Sequence, residues 1–210
     1  MKNIIFILFI SSINSLVHGQ SSCNCTVTTC NQIWMSHNLT SKFYRNGDPI
    51  PQVTDPTQWA NLTTGAWCYY NNDPANGEVY GLLYNWYAVN DPRGLAPWTW
   101  HIPTWQEWVT LSECLGNDLV SGGPMKETGT THWRFPNTGA TNISGFTALP
   151  GGWRSTGGGF SNIGFEGYWW SSNFFSSIYP WGRRISYNNT IADGGANYQT
   201  HGFSVRCIKD

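Results

Sequence analysis

Tyr80 to Trp108 reads YGLLYNWYAVNDPRGLAPWTWHIPTWQEW, and the fold class follows from its local chemistry. Gly81 to Tyr87 is dense in Leu, Tyr and Trp, which suit a pleated, half-buried surface. Asn90-Asp91-Pro92-Arg93-Gly94 is a turn: Asn and Asp bond their own backbone, Pro presets φ, and Gly permits positive φ. Pro97 and Pro103 bracket a short extended piece, Trp98 to Ile102. Thr104-Trp105-Gln106-Glu107 then matches a capping box, with Thr104 capping the third helical amide and Glu107 reaching back to the amide of Thr104. Trp105, Trp108, Val109 and Leu115 share one helical face, and Gly116 supplies the stop. The stretch therefore reads strand, turn, short strand, capped helix.

Outward from this stretch, the signals are those of a strand-and-loop protein. Thr57 to Leu62 is a short helix burying Trp59, and Ile33 to Met35 is a strand. Gly145 to Leu149 reads as a strand, Trp153 to Ile163 as a hairpin, and Gly167 to Ser172 as a strong strand. Pro180 to Ser186 and Gly202 to Ile208 are the last two. Charged residues make up 11% of the 210, with a formal net charge of -1, against about 25% in an average domain. That excludes a basic nucleic-acid binder and an acidic tail protein. An aromatic share of 16%, with 13 Trp, supplies ample surface to bury and excludes disorder. Abundant Gly, Asn and Ser with few long apolar runs indicate an α+β chain that is loop-rich and mainly β, with short antiparallel strands and one or two short helices.

Lys2 followed by the apolar run Ile4 to Ile10 is a signal-peptide pattern, too short to span a bilayer, with cleavage expected after Gly19. Residues 1–19 are thus read as a signal peptide and residues 20–31, QSSCNCTVTTCN, as a Cys-rich arm. A globular part follows from 32 to 210. Cys23 lacks the preceding aliphatic residue of a lipoprotein, so a soluble exported protein without membrane insertion is expected. All six Cys (Cys23, Cys25, Cys30, Cys68, Cys114 and Cys207) lie in the mature chain, and their even number suggests disulfides.

Candidate sites start from aromatic platforms, because the apolar faces of pyranose rings stack on them. Trp153, Trp170, Tyr179 and Trp181 are candidates, with Asn173, Arg183 and Arg184 as hydrogen-bonding partners. Trp86, Trp105, Trp108 and Trp169 read as core. Alternation places Trp169 and Trp170 on opposite faces of their strand, leaving one of them free to be exposed. Asn71, Asn72 and Asp73 offer a weak Ca²⁺ alternative in a cluster that otherwise reads as a turn; no other metal or cofactor is expected. No paired carboxylates or nucleophile elbow stand out, so catalysis is not expected. Asn24, Asn38, Asn61, Asn142 and Asn188 head glycosylation sequons that would mostly go unused in bacteria.

Several phrases occur in fixed order: WMSHNL, AWCYYNND, YGLLYNWYAV, HIPTWQEW, THW, NTGATNISGFTALPGGWR, IGFEGYWWSS and GFSVRCIKD. Together they resemble the Fibrobacter succinogenes major paralogous domain family, from about Gln32 to Asp210. The family occurs on secreted and surface proteins of Fibrobacter and Bacteroidetes-type bacteria. The resemblance implies a C-type-lectin-like fold related to the formylglycine-generating, sulfatase-modifying enzymes. Many members carry a Cys where this chain has Ala96. Among the remaining partners for Cys207, the resemblance favours Cys68, with Cys114 as the rival and Cys23, Cys25 and Cys30 unassigned. The oxidase relatives need a reactive Cys pair before the final strand, and Trp181 to His201 contains none. The expected function is an exported, non-catalytic surface module that binds polysaccharide or another surface protein. The alternative is a self-assembling subunit of an extracellular fibre or matrix, a homo-oligomer joined through its arm.

Overall fold

The computed structural model describes residues 26–210. Its strands are β1 (Thr26–Thr29), β2 (Gln32–Met35), β3 (Trp67–Cys68), β4 (Leu83–Tyr84), β5 (Trp100–His101), β6 (Gly151–Arg154), β7 (Phe160–Ile163), β8 (Glu166–Ser176), β9 (Tyr179–Ser186), β10 (Ala192–Ala196) and β11 (Ile208–Lys209). Its α-helices are α1 (Pro56–Ala60), α2 (Pro74–Tyr80), α3 (Trp86–Val89), α4 (Trp105–Cys114) and α5 (Gly122–Met125). Three sheets form, in the orders β1-β2-β11-β5, β10-β9-β8-β6-β7 and β3-β4. The expected mixed, mainly-strand class with short antiparallel pairings is what the chain adopts.

The central stretch folds largely as its chemistry dictates. Thr104 and Glu107 close the capping box at the start of α4. Gly81 to Tyr87 supplies only two strand residues before Asn85 caps α3 through the amide of Ala88. Gly145 to Leu149 forms no strand; Ala148 makes a single bridge to Lys126. β10 reads ADGGA, whose glycines hide it from any propensity argument.

β8 organises the interior. Trp169 and Trp170 do point to opposite faces, but both faces are covered and both rings are fully buried. Trp169 enters a core with Trp34, Trp108, Trp133 and Phe146. Trp170 enters another with Tyr84, Trp86, Phe203 and Val205. A smaller core gathers around Trp59 and Tyr70.

Loops of this length leave many carbonyls to satisfy, and buried cations satisfy several of them. Lys126 Nζ donates to the carbonyls of Thr138, Ser186 and Asn189. Arg154 donates to Val53, Thr54 and Gly158, and Arg206 to Met35 and Phe146. All three side chains are buried, and none forms an ion pair with a carboxylate within salt-bridge distance among the described residues.

The arm differs from its expected reading. Thr26–Thr29 is a strand paired antiparallel with β2, so this end of the arm belongs to the domain. Cys30, at the turn, is bonded to Cys114 at the end of α4. The favoured Cys68–Cys207 pair is not formed: both are buried free thiols. The physical reason is placement, since Cys68 packs in the small core around Trp59 and Cys207 in the core around Trp170. Cys23, Cys25, Asn24 and the signal-peptide reading lie outside the described residues.

Candidate functional site

Pairing across β8, β9 and β10 places Tyr168 opposite Arg184 and Arg184 opposite Asp193; it likewise aligns Trp170, Gly182 and Gly195. Partners across a sheet share a face, so Glu166, Tyr168, Gly182, Arg184, Ser186, Asp193 and Gly195 all project to one side. This face is covered at Trp170 by Phe203, whose ring lies 4.3 Å away. Beyond Phe203 it opens into a groove of two lobes that meet at Arg184.

One lobe, of about 230 Å³, has Gly182 and Gly195 as its floor and Tyr168, Phe203 and Asn197 around it. A Cβ on Gly182 would come within 2.9 Å of the Phe203 ring, whereas one on Gly195 would meet open space. The other lobe, of about 360 Å³, is polar, with Asn162, Glu166, Asn188 and Asn189 in its wall. Asn189 and Ser186 owe their positions to Lys126, whose ammonium holds both their carbonyls from below.

The charges in the groove are paired. Arg184 bonds Asp193 through two parallel contacts of 3.0 and 2.6 Å, and lies 3.7 Å from Glu166. Glu166 also accepts hydrogen bonds from the Tyr168 hydroxyl and the Asn162 amide. Burial, and then this carboxylate, push the Tyr168 phenol up to about 12. Beside the groove runs a band of rings: Trp153 lies 5.8 Å from Tyr168 and 4.9 Å from His201, and Tyr198 lies 5.5 Å from both His201 and Tyr179. Burial pushes His201 down to about 4, so it is neutral at neutral pH. Neutral rings, amides and paired charges suit a neutral, hydroxyl-rich ligand rather than an ion.

The expected site residues scatter. Arg184 lines the groove, and Trp153 and Tyr179 belong to the adjoining band. Trp170 does not contribute, and Arg183 borders the smaller lobe with its side chain turned away. Trp170 is core, and Arg183 is fully buried on the opposite face, bonded to Asp118 at 2.6 Å and lying under Trp105. Alternation along β9 allows only one of two adjacent arginines to reach the groove. Trp181 stacks on Trp105 at 4.1 Å with Phe175 against it edge-on, so its ring face is occupied. Asn173 accepts from the amide of Trp105 and serves as a cap of α4. Tyr168, Asn197 and the floor glycines were missed; Tyr168 had a signal, since it sits two residues from Trp170 in a strand of period two.

The residues of the Ca²⁺ alternative have local structural roles. Asp73 caps α2 through the amide of Ala75, Asn72 bonds the carbonyl of Thr54, and Asn71 takes φ 53° inside a tight turn. Asn38 is buried and bonded to Tyr80, Trp169 and Arg206. Asn61 and Asn188 are exposed, and Asn142 is half-buried and bonded to Thr147.

A comparison with protein families matched residues 27–209 to the Fibrobacter succinogenes major domain. The chain belongs to the Fibrobacter succinogenes major domain family. Searches of curated proteins and of solved structures found no match. In this member of the family the matched segment contains every strand of the groove, and it begins within β1, the strand that ends the arm.

Proposed function

We propose that this protein is an exported, non-catalytic surface module that binds a neutral polysaccharide in the groove over β8, β9 and β10. The observation that carries the reading is the glycine floor between Tyr168, Phe203 and Asn197, beside the self-neutralised Arg184–Asp193–Glu166 cluster. A sugar chain offers an apolar ring face to the aromatics and hydroxyls to the amides. Both carboxylates at the groove are held by partners, which favours binding over acid–base hydrolysis. Export is supported by the N-terminal pattern and by the Cys30–Cys114 disulfide. The C-type-lectin-like kinship rests on the family resemblance.

The test is affinity electrophoresis through gels containing soluble β-glucans, xylan or mannan. Retardation by at least one polysaccharide, strongly reduced in Gly195→Leu, is the expected result. Leu at 195 has room and fills the floor, so loss of binding with unchanged thermal unfolding isolates the groove. Retardation unaffected by Gly195→Leu would refute it.

A second reading, as a self-assembling subunit or a binder of surface proteins, has one specific observation in its favour. Ser171 to Gly182 carries no charge, and at the tip of its hairpin Phe174, Phe175 and Ile178 are 40%, 51% and 56% exposed. Such an apolar patch favours contact with protein. A native mass above the monomer that falls in Ile178→Lys would support it.

A further inference from the structure

Trp98 is 72% exposed, and it is the one exposed ring among the 13 tryptophans, seven of which are fully buried. It is also held rigidly. The Arg45 guanidinium lies 5.0 Å from the ring centre. That guanidinium is itself fixed, donating to the carbonyls of Ala96 at 2.9 Å and Trp100 at 3.1 Å. The next residue, Thr99, takes φ 67°, a conformation costly for a β-branched residue and a pointer to function when it persists. The turn is kept in place by bonds from the Trp100 amide to Pro97 and from the Asp210 amide to Thr99.

We infer that Trp98 is a second saccharide-stacking subsite, outside the groove, whose outward ring face takes one pyranose ring. Arg45 lies over one face of the indole, and the exposure of Trp98 leaves ring surface open to a ligand. A pyranose chair offers a face of C–H groups that one ring can hold. A stacked nucleobase would bring phosphates, and the adjoining Arg93 is already engaged by Asp48 and Asp91. A protein partner would need an apolar surround, whereas Trp98 is followed by the exposed Thr99 and has the Arg45 guanidinium over its ring. The inference rests on the saccharide reading of this protein but not on the groove.

The test labels the protein with 5-fluorotryptophan and follows its ¹⁹F spectrum while soluble β-glucans, xylan and mannan are added in turn. Trp98→Ala identifies the Trp98 signal. The expected result is that this signal shifts with a bound polysaccharide in both the wild type and Gly195→Leu. Trp98→Ala should also weaken binding about tenfold, the loss expected for one stacked ring face. A Trp98 signal that stays still while Gly195→Leu strongly reduces retardation overturns this subsite and leaves the groove intact. A shifted Trp98 signal with retardation indifferent to Gly195→Leu supports this subsite and refutes the groove. No shift and no retardation with any polysaccharide overturns both. A drop in native mass in Trp98→Ala would show that protein covers the ring, and also overturns the subsite.

Discussion

Lys126 illustrates how single residues hold a loop-rich chain together. Its side chain is fully buried, and burial pushes its ammonium down to about 8, so it remains charged at neutral pH. Three carbonyls replace the water it has lost. Lys126→Met keeps the stem but orphans all three, and should destabilise the protein by about 3 kcal/mol in urea unfolding, with the polar lobe of the groove loosened. His101 gives a pH signature. Burial opposes its proton, but hydrogen bonds that its ring donates to Glu107 and Asp210 outweigh that and raise it above its usual 6.5. Glu107, despite burial, is held below its usual 4.5 by the Thr104 amide and His101. The raised histidine contributes fully below pH 6.5 and is lost as pH rises through its folded value. The depressed carboxylate contributes above pH 4.5 and is lost as pH falls through its own. The pair should therefore stabilise most between about pH 4.5 and 6.5. Urea midpoints measured against pH should show that advantage in the wild type and not in His101→Gln.

Among the elements, α4 was the most readable, because a capping box is a local device that packing rarely overrules. The turn at Asn90 to Gly94 and the strand at Gly167 to Ser172 were readable for the same reason. What was hidden depended on neighbours distant in sequence. β10 is glycine-rich and is a strand only because β9 pairs with it. The choice between Arg183 and Arg184 required the sheet's orientation, and Trp170 required knowing that both faces of β8 are covered. The disulfide was hidden because Cys30 reaches Cys114 only once TVTT has folded back as β1 against β2. That bond closes a loop across a sequence separation of 84, so Cys30→Ser with Cys114→Ser should cost about 2–5 kcal/mol in denaturant unfolding. Burial pushes Cys68 up to about 11 and Cys207 up to about 12. Neither thiol should react with an aromatic disulfide reagent in the folded protein at pH 8, and both should react on unfolding.

For the whole molecule, the two cores on either side of β8 have a functional consequence. They fix the strand rigidly at Trp169 and Trp170, and the groove begins one residue away at Tyr168. Binding at so firm a surface needs little ordering of the protein, which favours affinity from a small contact. The low charge of the chain agrees with a neutral ligand, and the few charges at the groove neutralise one another. The most direct measurement is an amide chemical-shift map of the ¹⁵N-labelled protein titrated with an oligosaccharide of whichever polysaccharide retards it. The account predicts that shifts concentrate at Tyr168, Gly182, Arg184 and Asp193 to Asn197, with a separate set around Trp98. Shifts confined to the hairpin tip around Phe175 and Ile178, or no shifts at saturating oligosaccharide, would contradict it.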